Sequence, residues 1–205
     1  FKEAGAILDT LVTSGGVSGV HHGNKNQFAI ASTETKDLWS NDRINTVSIV
    51  TRHDAHAQQV VDALKSGKNV FVEKPLALAL DELDEIDKSY NKANSSNTVR
   101  LMVGFNRRYA PHVVKMKKLL ESHRSPKSII MTVNAGAIPG EHWVQNTLIG
   151  GGRIIGEGCH FIDLMRHLVG HKITNFQAMM MGNVPGVEVR EDKASITLSF
   201  EDGSF

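Results

Sequence analysis

The sequence predicts an α/β protein: part of a doubly wound parallel sheet, followed by part of an α+β domain with a sheet of its own. Up to about residue 122, short runs rich in β-branched residues alternate with segments of helical spacing, which is typical of parallel strands joined by helices. Beyond that point the strand-like runs are longer, and a single helical segment interrupts them. We therefore expect two domains, residues 1–122 and 123–205.

The elements of the first domain follow one another along the chain. Its predicted strands are Ile7–Val12, Thr46–Thr51, Val70–Val72 and Val99–Val103. Its predicted helices are Ala55–Ser66, a segment marked by Leu80, Leu83, Ile86 and Tyr90, and Val113–Leu120. The first six residues read as the end of an earlier helix, so we expect a first strand and its glycine-rich turn to lie upstream.

The second domain begins where this alternation stops. Its predicted strands are Ile129–Val133, Asn175–Met181 and Ala194–Phe200. A glycine-interrupted helix is predicted from about Ile154 to Leu168. Residues 201–205 read as a turn between strands, so we expect the chain to be a fragment at both ends.

The composition narrows the class of partner. Twenty-three basic residues against 22 acidic ones give no charge excess that would attract nucleic acid or an anionic membrane, so we expect a small-molecule substrate. No run approaches the roughly 20 apolar residues of a membrane span, and no leader opens the chain. Together with the lone Cys159, this favours a reducing cytoplasm.

The segment KNVFVEKPLAL, residues 68–78, raises the main functional question. Glu73 and Lys74 directly follow an apolar strand, and Pro75 ends it. Charged groups at the end of a core strand need water, partners or a ligand. Because the carboxyl ends of strands in an open α/β sheet line the ligand crevice, we expect both side chains to face a ligand there.

This segment resembles the glutamate-lysine-proline signature of the Gfo/Idh/MocA oxidoreductase family, named for glucose-fructose oxidoreductase and inositol dehydrogenase. The likeness extends over most of the chain. TVSIVTRHDAHAQQVV resembles the strand and turn that precede the signature, and LMVGFNRRYAP resembles the strand and helix start that follow it. GGGRIIGEGCHFIDL resembles the second catalytic segment of the family.

The resemblance implies a Rossmann-like dinucleotide-binding domain over residues 1–122 and a substrate or oligomerisation domain over residues 123–205. It implies an NAD(P)-dependent dehydrogenase or reductase that moves a hydride to or from a carbinol or carbonyl carbon of a sugar, cyclitol or nucleotide sugar. Two other classes stay open. Dinucleotide-binding sensors tend to lose the lysine and histidine that this chain keeps, whereas lyases or glycosidases that use the nicotinamide transiently keep them.

The resemblance also assigns catalytic roles. Lys74 matches the lysine that exchanges the hydroxyl proton, and His160 matches the histidine that shares this work. Many members carry an aspartate where this chain has Gly156. We expect Glu157 or Asp163 to take its place and to hydrogen-bond the His160 ring. A cis Lys74–Pro75 bond is expected as well.

Further positions are expected to contact the cofactor or the substrate. The cofactor-binding candidates are Ser14, Thr51, His53, His56, Glu73, Lys74, Pro75 and Arg107. The substrate-binding candidates are Lys74, Asn106, Trp143 and His160. Two alternatives stay open: His56 could only cap the following helix, and Trp143 could only pack between domains. A metal site is not expected, because His53-x-x-His56 and one distant cysteine lack the clustered ligands of zinc sites.

The glycine-rich stretch Gly15–Gly23 follows a strand but lacks the G-x-G-x-x-G spacing of a pyrophosphate loop. By strand order, Thr13–Gly16 lies where an adenosine ribose would be met. NAD-specific folds usually place a carboxylate there, and this chain has Thr13, Ser14 and Gly15. The cofactor is therefore NAD or NADP, with a weak preference for NADP.

The family resemblance bears on assembly too. A homo-oligomer through the sheet of the second domain is expected. The variant GEGCHFID, together with GFNRRYAP and AIPGEHW, resembles the branch found fused to a zinc-dependent alcohol-dehydrogenase-like domain in longer chains.

Overall fold

The computed structural model describes residues 1–96, 98–182 and 193–205, and it is an α/β structure with parallel and antiparallel pairing, as predicted. Its strands are β1 (Thr10–Val12), β2 (Ile30–Ser32), β3 (Thr46–Ile49), β4 (Asn69–Val72), β5 (Leu101–Val103), β6 (Ile173–Met180) and β7 (Ala194–Phe200). Its α-helices are α1 (Gly16–Asn26), α2 (Lys36–Trp39), α3 (His56–Lys65), α4 (Leu80–Ser96), α5 (Pro111–Glu121) and α6 (Cys159–Val169). Four short 3₁₀ helices cover Lys2–Ala4, His53–Ala55, Asn106–Tyr109 and Trp143–Gln145, and a π-helical turn covers Ile154–Gly158.

The chain forms two compact units that interleave along the sequence. Unit 1 comprises residues 1–49, 58–72 and 84–102, and unit 2 comprises residues 50–57, 73–83 and 103–205. The segments that directly follow β3 and β4 therefore belong to unit 2. The predicted division at residue 122 follows the sequence pattern, whereas these units follow spatial proximity.

Unit 1 is built on parallel strand pairs. β3 pairs in parallel with β4, β5 lies on the other side of β4, and β1 pairs in parallel with β2. Alternate residues of β3 and β4 are buried, as the period of two in a strand requires. The buried apolar side chains of this core include Val47, Ile49, Val60, Val61, Leu64, Val70 and Val72.

Helix α1 forms in the glycine-rich stretch that follows the first predicted strand, where no helix was predicted. Gly19 and Gly23, four residues apart, are its buried residues. A Cβ on Gly19 would lie 2.6 Å from Thr13 Oγ1, and one on Gly23 would lie 3.4 Å from the Cβ of Ala31. The glycines thus let the helix approach β1 and β2 closely, and this packing outweighs their poor helix propensity.

One predicted strand is wrong. Ile129–Val133 adopts no regular structure, and Ile130 is 92% exposed. Ile129 donates one backbone hydrogen bond to Phe205 at 2.9 Å, but no ladder with another strand follows in the described parts of the chain. A β-branched run forms a strand only where a neighbouring strand pairs with it.

Unit 2 contains the remaining elements. β6 and β7 pair antiparallel, and α6 lies against α5 and the 3₁₀ helix Asn106–Tyr109. The π-helical turn leads directly into α6. The interruption predicted in this helix is therefore a change from π-helical to α-helical structure. Across the described residues, no helix combines the length and the apolar character that a membrane span needs.

Candidate active site

The segment after β4 places three of the expected site residues at the end of that strand. A cis peptide bond joins Lys74 to Pro75, as predicted. Pro75 is buried, and the Lys74 side chain is only 14% exposed. The Glu73 carboxylate lies against Gly104, where an added Cβ would be 3.1 Å from Oε2. The segment therefore packs within unit 2.

His56 supports this segment from the inside. Its side chain is fully buried. Nδ1 lies 2.7 Å from the carbonyl oxygen of Pro75, and Nε2 lies 3.1 Å from that of Thr51. The ring therefore links the turn after β3 to the segment after β4. In the structure this side chain has a supporting role, and a contact between His56 and the cofactor stays a prediction.

Lys74 is held by two acceptors from the second motif. Its Nζ donates to the carbonyl oxygen of Gly156 at 2.8 Å and to Oε1 of Glu157 at 2.9 Å. An amine nitrogen has four tetrahedral positions, of which one carries the side chain and two are now taken. With these two partners from the described part of the chain, one position of Nζ remains for another group.

The π-helical turn Ile154–Gly158 presents both acceptors. Its hydrogen bonds span five residues where those of an α-helix span four, and such turns often occur at functional sites. Burial by itself raises the pKa of Glu157. The hydrogen bond and the charge of Lys74 outweigh that effect, so the pKa lies below its ordinary value and the carboxylate is ionised near neutral pH.

His160 is the first inward residue of α6 after this turn. It is 6% exposed, and its Nδ1 is buried with no hydrogen-bonding partner among the residues that the structure describes. Burial lowers its pKa, and the charges of Lys74 and Arg107 lower it further, so the ring is neutral near pH 7. The predicted hydrogen bond from Glu157 or Asp163 to this ring is wrong: among the described residues neither carboxylate bonds the ring, and they bind Lys74 and Arg108 instead.

Asp163 binds Arg108. Arg108 Nε donates to Oδ2 at 3.0 Å and Nη2 donates to Oδ1, which makes a two-point contact between the Asn106–Tyr109 helix and α6. The Asp163 side chain is nearly buried, so this pair fixes α6 rather than orienting His160. The neighbouring Arg107 is exposed, and its guanidinium lies 4.8 Å from the centroid of the Phe161 ring.

His53 lies close to Gly156, within unit 2. Its Nδ1 is 2.8 Å from the carbonyl oxygen of Gly150, and its ring packs edge-on to Trp143 with centroids 4.7 Å apart. The guanidinium of Arg52 is 5.8 Å from the Trp143 ring. This tryptophan therefore packs against a histidine and an arginine within unit 2, and its contact with substrate stays a prediction.

Most of the expected site residues belong to unit 2. Thr51 and Asn106 are exposed there, whereas Ser14 is an exposed residue of unit 1. Sequence reasoning missed the Gly156 carbonyl and the Arg108–Asp163 pair. The break in helical pattern at Gly156 was the available signal for the first.

Cys159 and the metal-binding residue types bear on two other chemistries, a thiol nucleophile and a metal site. Burial raises the pKa of the Cys159 thiol to about 11, so this cysteine is protonated at neutral pH and is a poor nucleophile. Within residues 1–96, 98–182 and 193–205, no cluster of three or more His, Cys, Asp or Glu side chains is arranged to hold a metal ion.

Comparison with known proteins places the chain in a family. The profile described as "Oxidoreductase family, NAD-binding Rossmann fold" matches residues 16–105, and that of the GFO/IDH/MocA C-terminal domain matches residues 113–205. The uncharacterized oxidoreductase YrbE of Bacillus subtilis is 29% identical over 186 residues, which cover 88% of this chain and 52% of that protein. The scyllo-inositol 2-dehydrogenase (NAD(+)) of the same organism is 33% identical over 135 residues, 64% of this chain and 37% of that protein.

Solved structures share the fold. A probable dehydrogenase from Thermotoga maritima superposes with a TM-score of 0.82 at 24% identity, over 98% of this chain and 60% of that one. A levoglucosan dehydrogenase in complex with NADH and levoglucosan superposes with a TM-score of 0.81 at 22% identity, over 97% and 56%. The chain spans about half the length of the curated relatives it matches. From both family profiles and the motifs they cover, the chain belongs to the GFO/IDH/MocA oxidoreductase family.

Proposed function

We propose that the protein carrying this chain transfers a hydride between a nicotinamide dinucleotide and a carbinol or carbonyl carbon of a sugar, cyclitol or nucleotide sugar. The observation that carries the proposal is the arrangement of Lys74, whose Nζ is held by two acceptors and keeps one position for a substrate oxygen. Relatives named as inositol dehydrogenases support this substrate class.

The residues of unit 1 fit part of a dinucleotide. A cleft of about 270 Å³ opens between the start of α1 and the end of β2, lined by Gly16, Gly19, Val20, Ala31, Ser32 and Thr33. Glycine there leaves backbone accessible to a ligand. No carboxylate lies within Thr13–Gly16, the turn expected at the adenosine ribose. We propose that NADP is accepted beside NAD for this reason.

In unit 2, Lys74 and His160 would handle the proton. When bound, the nicotinamide supplies the hydride acceptor or donor. Lys74 Nζ, directed by Gly156 and Glu157, binds the substrate oxygen and exchanges a proton with it. His160, neutral at pH 7, is available to accept or share that proton, and burial keeps water from competing.

The remaining expectations are proposals as well. We propose that the β6–β7 sheet mediates homo-oligomerisation, since Phe176 and Met179 are exposed on it. A cytoplasmic location and fusion to a zinc-dependent alcohol-dehydrogenase-like domain rest on the composition and the motif variant. Light scattering of the complete gene product, with and without Met179→Glu, tests the oligomer.

The function is tested by absorbance at 340 nm. The complete product of the gene is mixed with NAD⁺ or NADP⁺ and a panel of inositols, hexoses, anhydrosugars and nucleotide sugars. We expect substrate-dependent formation of reduced cofactor with at least one polyol. Tight binding of the dinucleotide without turnover of any member of the panel would contradict the proposal and favour a sensor. Product formation without net reduced cofactor would favour a lyase.

A further inference from the structure

Gly156 is tightly packed at the position where many family members carry a side chain. A Cβ built there would be 3.2 Å from Cε1 of His53, 3.6 Å from its Nδ1 and 3.5 Å from the carbonyl oxygen of Gly150. The contact with Cε1 is closer than an ordinary van der Waals contact, so the ring would have to shift by a few tenths of an ångström to admit even a Cβ. The His53 ring thus occupies the space beside the π-helical turn.

His53 is fixed from three sides. Because a carbonyl oxygen only accepts, Nδ1 carries the hydrogen that is donated to Gly150. The backbone N–H of Asp54 donates to the carbonyl oxygen of Ile149 at 3.1 Å, so the same two loops are joined a second time. Trp143 packs edge-on against the ring, which is 8% exposed. The ring is therefore a rigid support.

The group that this ring touches is a direct partner of Lys74. Gly156 packs against His53, and its carbonyl oxygen accepts a hydrogen bond from Lys74 Nζ at 2.8 Å. The next residue, Glu157, supplies the other acceptor. A shift of the turn at Gly156 would displace both acceptors together.

We propose that His53 is a positioning residue for Lys74: its ring fills the space that a side chain at position 156 would need, supports the π-helical turn and thereby fixes both acceptors of the ammonium. The inference rests on the proposed function for the role of Lys74 in turnover. It predicts that positions 53 and 156 are coupled, so that an aspartate is accepted at 156 only when the ring at 53 is removed.

The test is a double-mutant cycle in the complete gene product, with Gly156→Asp, His53→Ala and the double variant. Displacing a reacting group by about 1 Å can cost roughly 100-fold in turnover. We expect Gly156→Asp to lower kcat by at least tenfold in the wild-type protein. In the His53→Ala background, the factor by which the same substitution lowers kcat should be at least fivefold smaller. Gly158→Ala is the control, because its Cβ would be 3.6 Å from Ile154 Cγ2, an ordinary contact. Additive effects in the cycle would overturn the proposal.

A second readout needs neither cofactor nor substrate. The rate at which an amine-acylating reagent labels Lys74 is followed by peptide mass spectrometry at fixed pH. His53→Ala should speed the labelling of Lys74 at least threefold, because the amine loses its fixed acceptors, and His53→Gln should restore part of the protection through its amide donor. Unchanged labelling in a folded His53→Ala variant would overturn the proposal. If the labelling of Lys74 changes as expected but a Lys74→Ala variant keeps its turnover, the proposed function is contradicted and the positioning role of His53 is not.

Discussion

Replacing Glu157 by Gln separates the charge beside Lys74 from the geometry around it. The amide keeps the size of the side chain and an oxygen acceptor, but the negative charge 2.9 Å from Nζ is lost. Hydrogen bonds between charged groups contribute about 1.5–3 kcal/mol. The Glu157 side chain is 38% exposed, so solvent screening reduces this to roughly 1–2 kcal/mol.

At about 1.4 kcal/mol per factor of ten, this predicts a fall in kcat of roughly 5- to 30-fold for Glu157→Gln. Glu157→Ala should be worse, because the acceptor disappears as well. The assay is steady-state turnover with the best polyol substrate, with separate measurement of KM for the cofactor, which should change little.

A matched control is Glu85→Gln, which removes the carboxylate from an exposed lysine pair at 3.2 Å in unit 1. We expect this variant to keep kcat within twofold, since exposed pairs contribute little. The reasoning would be refuted if Glu157→Gln behaved like the control.

Three further predictions follow from the same contacts. Lys74→Met should raise the pKa of His160 in an NMR titration, because the ammonium lowers it after burial does; an unchanged or lower pKa would contradict this. Asp163→Asn should lower the free energy of unfolding by about 1–3 kcal/mol in urea titrations, since it leaves a half-buried guanidinium without its carboxylate; a drop in kcat without lost stability would instead indicate a catalytic role. Gly150→Ala should destabilise by about 2 kcal/mol or more, because its Cβ would lie 2.4 Å from a backbone Cα, and Gly158→Ala, as control, should stay within about 0.5 kcal/mol.

Every described strand except β2, and the site segment, could be predicted because their signals are local. The run Val70–Val72 is apolar on both faces, and Pro75 stops it, so the position of Lys74 at a strand end follows from the sequence alone. The helices α3 to α5 follow from apolar residues at helical spacing. Each was found within a few residues of its bounds.

The failures share a cause, namely partners that are distant in sequence. Helix α1 forms despite its glycines because Gly19 and Gly23 allow close packing on strands. Ile129–Val133 has strand-forming residues but pairs with no strand in the described structure. The partner of Asp163 is 55 residues away, and helical spacing to His160 suggested the wrong neighbour.

The departure at Gly156 was visible in the sequence, but its consequence was not. A missing aspartate suggested a substitute carboxylate for the histidine. In the structure Glu157 binds Lys74 instead of His160, because the π-helical turn directs its carboxylate toward Nζ. The glycine break in the helical pattern marks the turn, but its contact with Lys74, 82 positions away, cannot be read from the local pattern.

The most direct test of the proposed function is the turnover of Lys74→Ala in the complete gene product, measured with saturating cofactor beside the surface control Lys65→Ala. Removal of a general acid or base should lower kcat by roughly 10²- to 10⁴-fold, with the dissociation constant of the dinucleotide, from fluorescence titration, changed less than about threefold. Near-normal turnover of Lys74→Ala would contradict the assignment of Lys74 to proton transfer.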